Sequence, residues 1–258
     1  MSTKTAIVYT CCHADPSVSN ERFDWLGKLA YAVNPTYMVD LGDGADMRSL
    51  NTYDTRYPKA INNQSYENDI NSYNDAQERI RHQFRKYKRR MPKFFGFEGN
   101  HEHRIKKAIA VDPRLEGDKY GISFKHLNTD MWFDEYHEYA HSAPAIHVYD
   151  GVSYAHYFSF SNYGTAASGL HHAYTLLQNR YSSSTCGHSH KRDMYFKDGA
   201  YPRAAIGLVA GCYKGAPESW AGQANDTWWS GVVIKRHLED GVYDPEFVSY
   251  KRLKDLYG

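Results

Sequence analysis

Three polar turns that begin with glycine constrain the fold more than any other feature of the sequence, because each follows a short run of residues that can form a strand. The three turns are Gly-Asp-Gly at 42–44, Gly-Asn-His-Glu at 99–102 and Gly-His-Ser-His at 187–190. Short apolar runs bounded by such turns predict buried strands. Because helical spacing alternates with these runs, as at 21–33 and 75–90, we expect an α/β sheet whose strands end in residues that can bind metal.

Length and composition are sufficient for one large domain. The chain has 258 residues, of which 41% are hydrophobic, and it contains no internal repeat or low-complexity tract. We therefore expect a single domain over residues 1–258, with an irregular, aromatic insertion at about 112–145 that forms a cap. The formal net charge of +1 gives no overall attraction to nucleic acid or to a membrane, so any such attraction must be local.

The sequence favours a cytoplasmic protein with no membrane partner. No run approaches the roughly 20 apolar residues that span a bilayer. The first residues lack the basic start, apolar stretch and small-residue cleavage site of a signal peptide. Two of the four cysteines, Cys11 and Cys12, are adjacent, which is a poor framework for disulfides. A reduced protein is therefore expected, with cysteines that serve as core residues or metal ligands.

The polar turns carry side chains suited to divalent metal ions. Asp43 follows an apolar run between two glycines and suits a bridging carboxylate, although an Asp there can simply turn the chain. Asn100 can cap a helix as well as bind metal. His188 and His190 are two residues apart and would point the same way from an extended segment. Two cations about 4 Å apart can activate a water and clamp a phosphate, so the ordered set favours phosphoester cleavage.

This ordered set resembles the calcineurin-like metallophosphoesterase superfamily. The residues that carry the resemblance are Gly42, Asp43, the turn at 99–102, His156 and the turn at 187–190, and the match runs from about residue 11 to residue 190. The stretch at 154–190 and the ending at 228–231 resemble uncharacterised bacteriophage members more narrowly, which would imply the host cytoplasm. The resemblance implies a four-layer α/β/β/α sandwich with ligands on loops at the carboxyl ends of strands.

The resemblance also implies a role for each site residue. Asp43 would bridge two divalent metal ions, which could be zinc, iron or manganese, and would be catalytic together with His101. His101 would protonate the leaving alkoxide or stabilise its developing charge, and Asn100 and His101 would contact the substrate. The remaining ligands would be His13 and His190 for the first ion, and Asn100, His156 and His188 for the second.

Cys11 departs from the pattern of the family. The family usually has Asp-x-His at the first motif, whereas this chain has Cys11 two residues before His13. A thiolate binds zinc or iron well and binds magnesium or manganese less well. Cys11 is therefore a candidate metal ligand that favours zinc or iron. The alternative is that Cys11 is inert and that the first metal site is weakened or lost. Asp15 could take the place of Cys11 only if its loop folds back.

Several other residues allow two interpretations. His172 could line the substrate pocket or begin a helix at the surface. Asp46 could hydrogen-bond a ligand histidine or lie in a loop without that role. Glu102 could orient a ligand, although interaction with the positive helix N-terminus is favoured. The basic residues between 79 and 107 could contact a phosphate backbone, and the aromatic residues of the insertion could stack on bases. For the basic residues, a solvated helix face is the favoured interpretation. For the aromatic residues, a small core within the cap is equally compatible with the sequence.

These features together predict a dinuclear metal-dependent phosphoester hydrolase. A phosphodiester is favoured as substrate, with nucleic acid or a nucleotide as candidates. The first alternative is a phosphomonoesterase, including a protein phosphatase. The second is a metal-binding scaffold protein with weak or no catalysis, which only the departure at Cys11 supports.

Overall fold

The computed structural model describes residues 3–52, 64–199, 204–215 and 217–258, which fold into two β-sheets flanked by helices. The helices are α1 (Glu21–Val33), α2 (Tyr66–Lys86), α3 (His103–Val111), α4 (Thr129–Trp132), α5 (His172–Arg180) and α6 (Tyr250–Tyr257). The strands are β1 (Lys4–Tyr9), β2 (Tyr37–Asp40), β3 (Lys93–Phe97), β4 (Glu135–His137), β5 (His147–Tyr149), β6 (Val152–Tyr154), β7 (Ser184–Cys186), β8 (Arg192–Lys197), β9 (Ala205–Ala210), β10 (Gly231–Glu239) and β11 (Val242–Ser249).

Each sheet has a parallel centre. The six-stranded sheet has the order β11-β10-β1-β2-β3-β4, in which β1 to β4 run parallel and β10 is antiparallel to both of its neighbours. The five-stranded sheet has the order β5-β6-β7-β9-β8, in which β6, β7 and β9 are parallel and the two outer strands are antiparallel. Parallel strands end at the same edge of a sheet, so the turns after β1, β2 and β3 lie side by side.

Alternation along the strands builds three hydrophobic layers. Val8 and Val39 of the larger sheet share one buried cluster with Leu208 of the smaller sheet, so the two sheets pack face to face. Ile7, the neighbour of Val8, belongs instead to the cluster under α1 and α2, because successive residues of a strand point to opposite faces. A third cluster, which includes Leu176 of α5, covers the outer face of the smaller sheet. The predicted α/β class and the order α/β/β/α are therefore confirmed.

A buried lysine lies between the two sheets. Lys235 of β10 has no solvent exposure. Its Nζ atom donates hydrogen bonds to the hydroxyls of Tyr154 at 3.1 Å and Thr185 at 2.7 Å. The nitrogen also lies 4.3 Å and 4.4 Å from the ring centroids of Tyr154 and Tyr243. Burial holds the pKa of Lys235 well below its usual range, since the charged form is the costlier one to bury.

Helix α2 begins earlier than the sequence predicts. The helical spacing over 75–90 predicts a helix that begins near residue 75, but α2 begins at Tyr66. Residues 53–63, which precede it, lie outside the described residues. The side chain of Ser65 caps the helix by accepting the N–H of Asn68 at 3.4 Å, and Ile70 and Tyr73 are buried against the main core. The helix therefore packs in the main core from its first turns onward.

The insertion at 112–145 only partly fits a cap. Strand β4 pairs in parallel with β3 and extends the larger sheet by one strand. Leu127, Trp132 and Phe133 are buried in the cluster under the same sheet, so these side chains fill the main core and not a small core of their own. Within the described residues, no helix is both long enough and apolar enough to cross a membrane.

Candidate metal centre

The turns after β1, β2, β3 and β7 meet at one edge of the sheets, beside the end of β6. The backbone N–H of Cys11 donates to the carbonyl of Gly42, and that of His13 donates to the carbonyl of Asp43, both at 2.9 Å. Only glycine fits where the turn at 42–44, after β2, approaches the turn at 99–102, after β3. Gly42 has a φ of +94°, and a Cβ atom there would lie 2.6 Å from the backbone nitrogen of Gly99. The sequence thus folds tightly at the point where the predicted ligands converge.

The first group of predicted ligands surrounds His156. The Nδ1 of His156 donates to the carbonyl of Leu41 at 2.8 Å, so the other ring nitrogen carries a lone pair in the neutral ring. That Nε2 lies 3.0 Å from Asn100 Oδ1, 3.2 Å from His188 Nδ1 and 3.2 Å from Asp43 Oδ2. Nitrogen and oxygen lone pairs that point at one another this closely are stable around a cation, and this donor set suits a divalent metal.

The second group surrounds His13. Its Nδ1 donates to Asp46 Oδ1 at 3.0 Å, which leaves Nε2 free to bind, and Nε2 lies 3.2 Å from His190 Nε2. A carboxylate that accepts from the far nitrogen of a histidine is the usual way to orient a metal ligand. The Nδ1 of His190 is buried without a hydrogen-bond partner among the described residues. Cys11, His13 and His190 bring ligand atoms within 4.8 Å of one another.

Cys11 lies between the two groups. Its Sγ also lies within 4.8 Å of ligand atoms of Asp43 and His156, so it belongs to both clusters. The backbone N–H of His188 donates to this sulfur at 3.2 Å. Burial raises the pKa of the Cys11 thiol well above its usual range, and the negative charge of Asp43 raises it further. A bound cation would act in the opposite direction, because metal binding deprotonates a coordinating thiol.

His101 is held at the edge of the site by Asp46. Its backbone N–H donates to Asp43 Oδ1 at 2.9 Å. Its Nδ1 lies 2.7 Å from the carbonyl oxygen and 3.0 Å from the carboxylate of Asp46, while its Nε2 accepts from Arg104 at 3.2 Å. Asp46 therefore contacts both His13 and His101. Burial would raise the pKa of Asp46, but hydrogen bonds from these two rings hold it well below its usual range.

The charges at the centre suit cation binding. Burial lowers the pKa of His188 to about 4 and that of His190 to about 3, so both rings keep free lone pairs at neutral pH. Burial alone would raise the pKa of Asp43, yet nearby His156 and His101 hold it well below its usual range. The centre thus offers an ionised carboxylate and neutral imidazoles at His13, His188 and His190, which are the protonation states that metal ligands require. Burial would lower the pKa of His156, but nearby Asp43 raises it overall, and a bound cation would act against that rise.

Glu102 holds two of the turns together. One oxygen of its buried carboxylate accepts the backbone N–H of Asp43 at 3.0 Å and that of Gly99 at 2.9 Å, and the other accepts that of Ala45 at 2.8 Å. The interpretation that the sequence favours, an interaction of the Glu102 charge with the positive helix N-terminus, does not account for these three contacts. Glu102 orients the turn that carries the predicted bridging carboxylate.

Several residues of the centre adopt left-handed backbone conformations. These residues, with their φ angles, are Cys11 (48°), His13 (45°), Asp43 (55°), His188 (64°) and His190 (59°). For a residue with a Cβ atom this conformation costs on the order of 1–2 kcal/mol. Such strain is concentrated at functional sites, where the surrounding structure imposes it.

Two adjoining cavities open onto the centre. A cavity of about 410 Å³ exposes His101 and other members of the two groups, and a second cavity of about 670 Å³ shares Asn100, Arg104 and His188 with it. In the sequence, Arg104 is recognisable only as one of a run of basic residues. It lies three residues after His101, across the turn that leads into α3, where its backbone N–H donates to the carbonyl of His101 at 3.1 Å, and that spacing is the signal that could have identified it. The remaining wall of the second cavity includes Leu50, Lys107, Val111, Leu115 and Tyr157.

Much of the basic run between residues 79 and 107 makes internal contacts. Arg79 pairs with two aspartates, at 2.6 Å and 2.8 Å, and Arg85 pairs with a glutamate of the same helix. Arg81 is buried and lies 4.0 Å from the ring centroid of Phe94. Lys106 pairs with two glutamates. These contacts argue against a continuous phosphate-binding surface, while the burial of Arg81 departs from the solvated helix face that the sequence favours.

Two candidates from the sequence lie outside these groups. His172 is buried behind the turn at 187–190, with Nε2 3.8 Å from Cys186 Sγ and Nδ1 3.5 Å from Ser189 Oγ. It is not among the described residues that line the two cavities, so its predicted contact with substrate stays a prediction. Asp15 accepts the backbone N–H and the hydroxyl of Ser17, both at 2.7 Å. Its loop does not fold back to replace Cys11.

Comparisons with known proteins give only distant likenesses. No protein-family model matches the chain, and no curated protein matches it. A conserved uncharacterized protein from Streptococcus pneumoniae, described as a predicted phosphoesterase, is similar at 10% identity and a TM-score of 0.37 over 97% of this chain and 92% of that chain. A protein of Thermus thermophilus is similar at 8% identity and a TM-score of 0.34 over 95% of this chain and 99% of that chain.

Proposed function

We propose that the protein is a dinuclear metal-dependent phosphoester hydrolase of the calcineurin-like type. One observation carries the proposal. Lone-pair atoms of Asn100, His188 and Asp43 lie within 3.2 Å of Nε2 of His156, beside a second cluster of ligand type around His13. A core that buried such groups for stability alone would pair each acceptor with a donor.

The two groups divide the ligands between two ions. Asp43 lies between them and is the proposed bridge. When bound, two divalent cations would activate a water and neutralise charge on the phosphoryl oxygens. The first ion would take Cys11, His13 and His190, and the second would take Asn100, His156 and His188.

His101 is the proposed acid that assists the leaving group. The carboxylate of Asp46, 3.0 Å from Nδ1, stabilises the ring when both nitrogens carry protons. The Nε2–H can then be given to the leaving oxygen. Arg104 donates to the same Nε2 in the present arrangement, so it must turn away when that nitrogen is protonated and is then available to a phosphoryl oxygen.

The second cavity supports a phosphodiester as the substrate class. It adjoins the centre and combines apolar walls, from residues such as Leu50 and Val111, with Lys107 and the ring of Tyr157. A phosphomonoester has one organic group, whereas a diester has a second that needs a surface of this kind. Nucleotides or nucleic acid, with their flat bases and phosphate charge, fit these walls.

Hydrolysis of bis(p-nitrophenyl) phosphate, compared with that of p-nitrophenyl phosphate, tests this choice. The metal-loaded protein should cleave the diester faster. Diester cleavage below background with robust monoester turnover would make the protein a phosphomonoesterase or protein phosphatase instead. His101→Asn with metals retained should lose most of the rate. If His101→Asn cleaves both substrates at the wild-type rate, the enzyme proposal fails and the protein is a metal-binding scaffold protein.

The metal preference tests Cys11. Zinc or iron should be retained after dialysis of the wild-type protein, and Cys11→Asp should shift retention toward manganese. Cys11→Ala should lose metal, whereas Cys12→Ala, one residue away, serves as the matched control. Equal metal content in the two alanine variants would show that the thiolate is not a ligand.

A reduced compartment is part of the same proposal. All four cysteines are free and buried, which supports the cytoplasm. The suggestion that the protein comes from a bacteriophage rests on the sequence resemblance alone.

A further inference from the structure

A third group of ligand-type side chains lies where the two sheets meet at their edges. Strand β4 is the last strand of the larger sheet, and β5 is the first strand of the smaller one. Glu135 and His137 are two residues apart on β4, and His147 and Tyr149 are two residues apart on β5. Because alternate residues of a strand share a face, each strand turns both of its side chains toward the seam between the sheets.

The four side chains are in direct contact across that seam. The hydroxyl of Tyr149 lies 2.6 Å from His137 Nε2 and 2.8 Å from Glu135 Oε2. The rings of His137 and His147 stack, with centroids 4.3 Å apart. Ligand atoms of Glu135, His137 and His147 all lie within 4.8 Å of one another. The carboxylate of Glu135 is about half exposed, so an ion can enter from solvent.

We propose that Glu135, His137 and His147 bind one divalent cation of the zinc type, at a site separate from the candidate metal centre. Two imidazoles and a carboxylate, with a water in the fourth position, form a common donor set for zinc. Glu135 and His137 both point toward the Tyr149 hydroxyl, so their ligand atoms converge on one place. With the ion bound, His137 exchanges the tyrosine hydroxyl for the cation, while Tyr149 continues to donate to Glu135 and keeps its carboxylate oriented.

The ion would hold the two sheets together where β4, at the edge of one, meets β5, at the edge of the other. Residues 138–146 connect β4 to β5, so the proposed ligands lie at both ends of this connection. Within it, the N–H of Tyr139 donates to Glu98 at 2.6 Å, and its ring stacks on His103 with centroids 4.6 Å apart. His103 is the first residue of α3, just after the turn at 99–102. The role of the ion is thus structural, and it goes beyond the proposed hydrolysis.

Zinc binding measured by equilibrium dialysis, together with thermal unfolding, tests the site. In a parent variant that combines Asp43→Asn with His188→Ala and His190→Ala, in which both groups of the candidate centre have lost ligands, we expect one equivalent of zinc to remain bound through the seam. A hundredfold excess of free zinc over Kd should raise Tm by about 5 to 10 °C. Adding His147→Asn should abolish both effects, whereas adding His141→Asn, in the same connection, should leave them unchanged. The outcome does not depend on whether the protein cleaves phosphoesters.

A second variant protects the test against a folding defect. Glu135→Gln changes an exposed carboxylate, so its Tm in chelator should match that of the parent, while its zinc affinity should fall about tenfold or more. The proposal fails if His147→Asn and His141→Asn bind the same amount of zinc with the same change in Tm. It also fails if Glu135→Gln binds zinc as tightly as its parent.

Discussion

Gly42→Ala should damage the candidate centre through the close approach of two turns. Gly42 has a φ of +94°, where a Cβ atom costs on the order of 1–2 kcal/mol. The new Cβ would also lie 2.6 Å from the backbone nitrogen of Gly99 and 2.8 Å from the carbonyl of Phe97, which are backbone atoms that cannot turn aside. Overpacking of this kind costs roughly 1–3 kcal/mol. The two effects together give a loss of about 3 kcal/mol in the free energy of unfolding.

Gly164→Ala provides the matched control. Gly164 also has a positive φ, of +69°, but a Cβ atom there meets nothing within 4 Å. Only the conformational cost remains, so its loss should be about 1 kcal/mol. For a chain of this size each kcal/mol shifts Tm by about 2–4 °C, which predicts a drop of roughly 6–12 °C for Gly42→Ala and 2–4 °C for the control.

Differential scanning calorimetry with and without divalent metal measures both effects. Gly42→Ala should also weaken metal binding, because the turn it displaces carries Asp43. Equal drops in Tm for the two glycine variants would refute the reasoning, since the close approach of the turns would then contribute nothing. A larger drop for Gly42→Ala with metal affinity unchanged would separate the packing of the turns from the geometry of the ligands.

Three further changes test other parts of the structure. Asp46→Asn should lower metal affinity about 10- to 100-fold in titrations, because it weakens the hold on two histidine rings, and unchanged affinity would contradict that role. Chelation should lower the Tm of the wild-type protein, whereas His188→Ala should show a smaller difference with and without chelator; equal differences would argue against His188 as a ligand. The pKa of Lys235 lies well below its usual range in the folded chain, so unfolding takes up a proton between the folded and unfolded pKa values and the free energy of unfolding rises with pH in that window. Lys235→Met should flatten this rise in denaturant titrations, and an unchanged slope would contradict the assignment.

The layout of the candidate centre could be predicted because it depends on local rules. Short apolar runs followed by glycine-led turns identify strand ends, and parallel strands bring their carboxyl ends to one edge. Asp43 and Asn100 follow from that rule alone. His188 follows β7 of the smaller sheet, and it reaches the same place only because the two sheets pack face to face. The double role of Asp46 does not, because two rings from different turns reach the same carboxylate only after the chain has folded.

The start of α2 could not be predicted from periodicity, because the buried face of this helix is partly polar. Asp69 is buried and accepts the N–H and hydroxyl of Ser49, at 2.9 Å and 2.6 Å. Ser72 is also buried, and its carbonyl accepts from the side chain of Asn20 at 2.8 Å. A sequence pattern that counts apolar residues treats such positions as exposed. Satisfied polar groups therefore concealed the first turns of α2.

The left-handed residues of the centre have a consequence for how this protein can change over time. Replacing such a residue by glycine relieves its backbone but removes the side chain that the site needs. Five of the fourteen described non-glycine residues with a positive φ lie in the loops of the candidate centre, so stabilising substitutions to glycine are available there as well as elsewhere. Selection for stability alone would therefore act on these loops too. The presence of Cys11, His13 and Asp43 in strained conformations is what a chain retains when function opposes that selection.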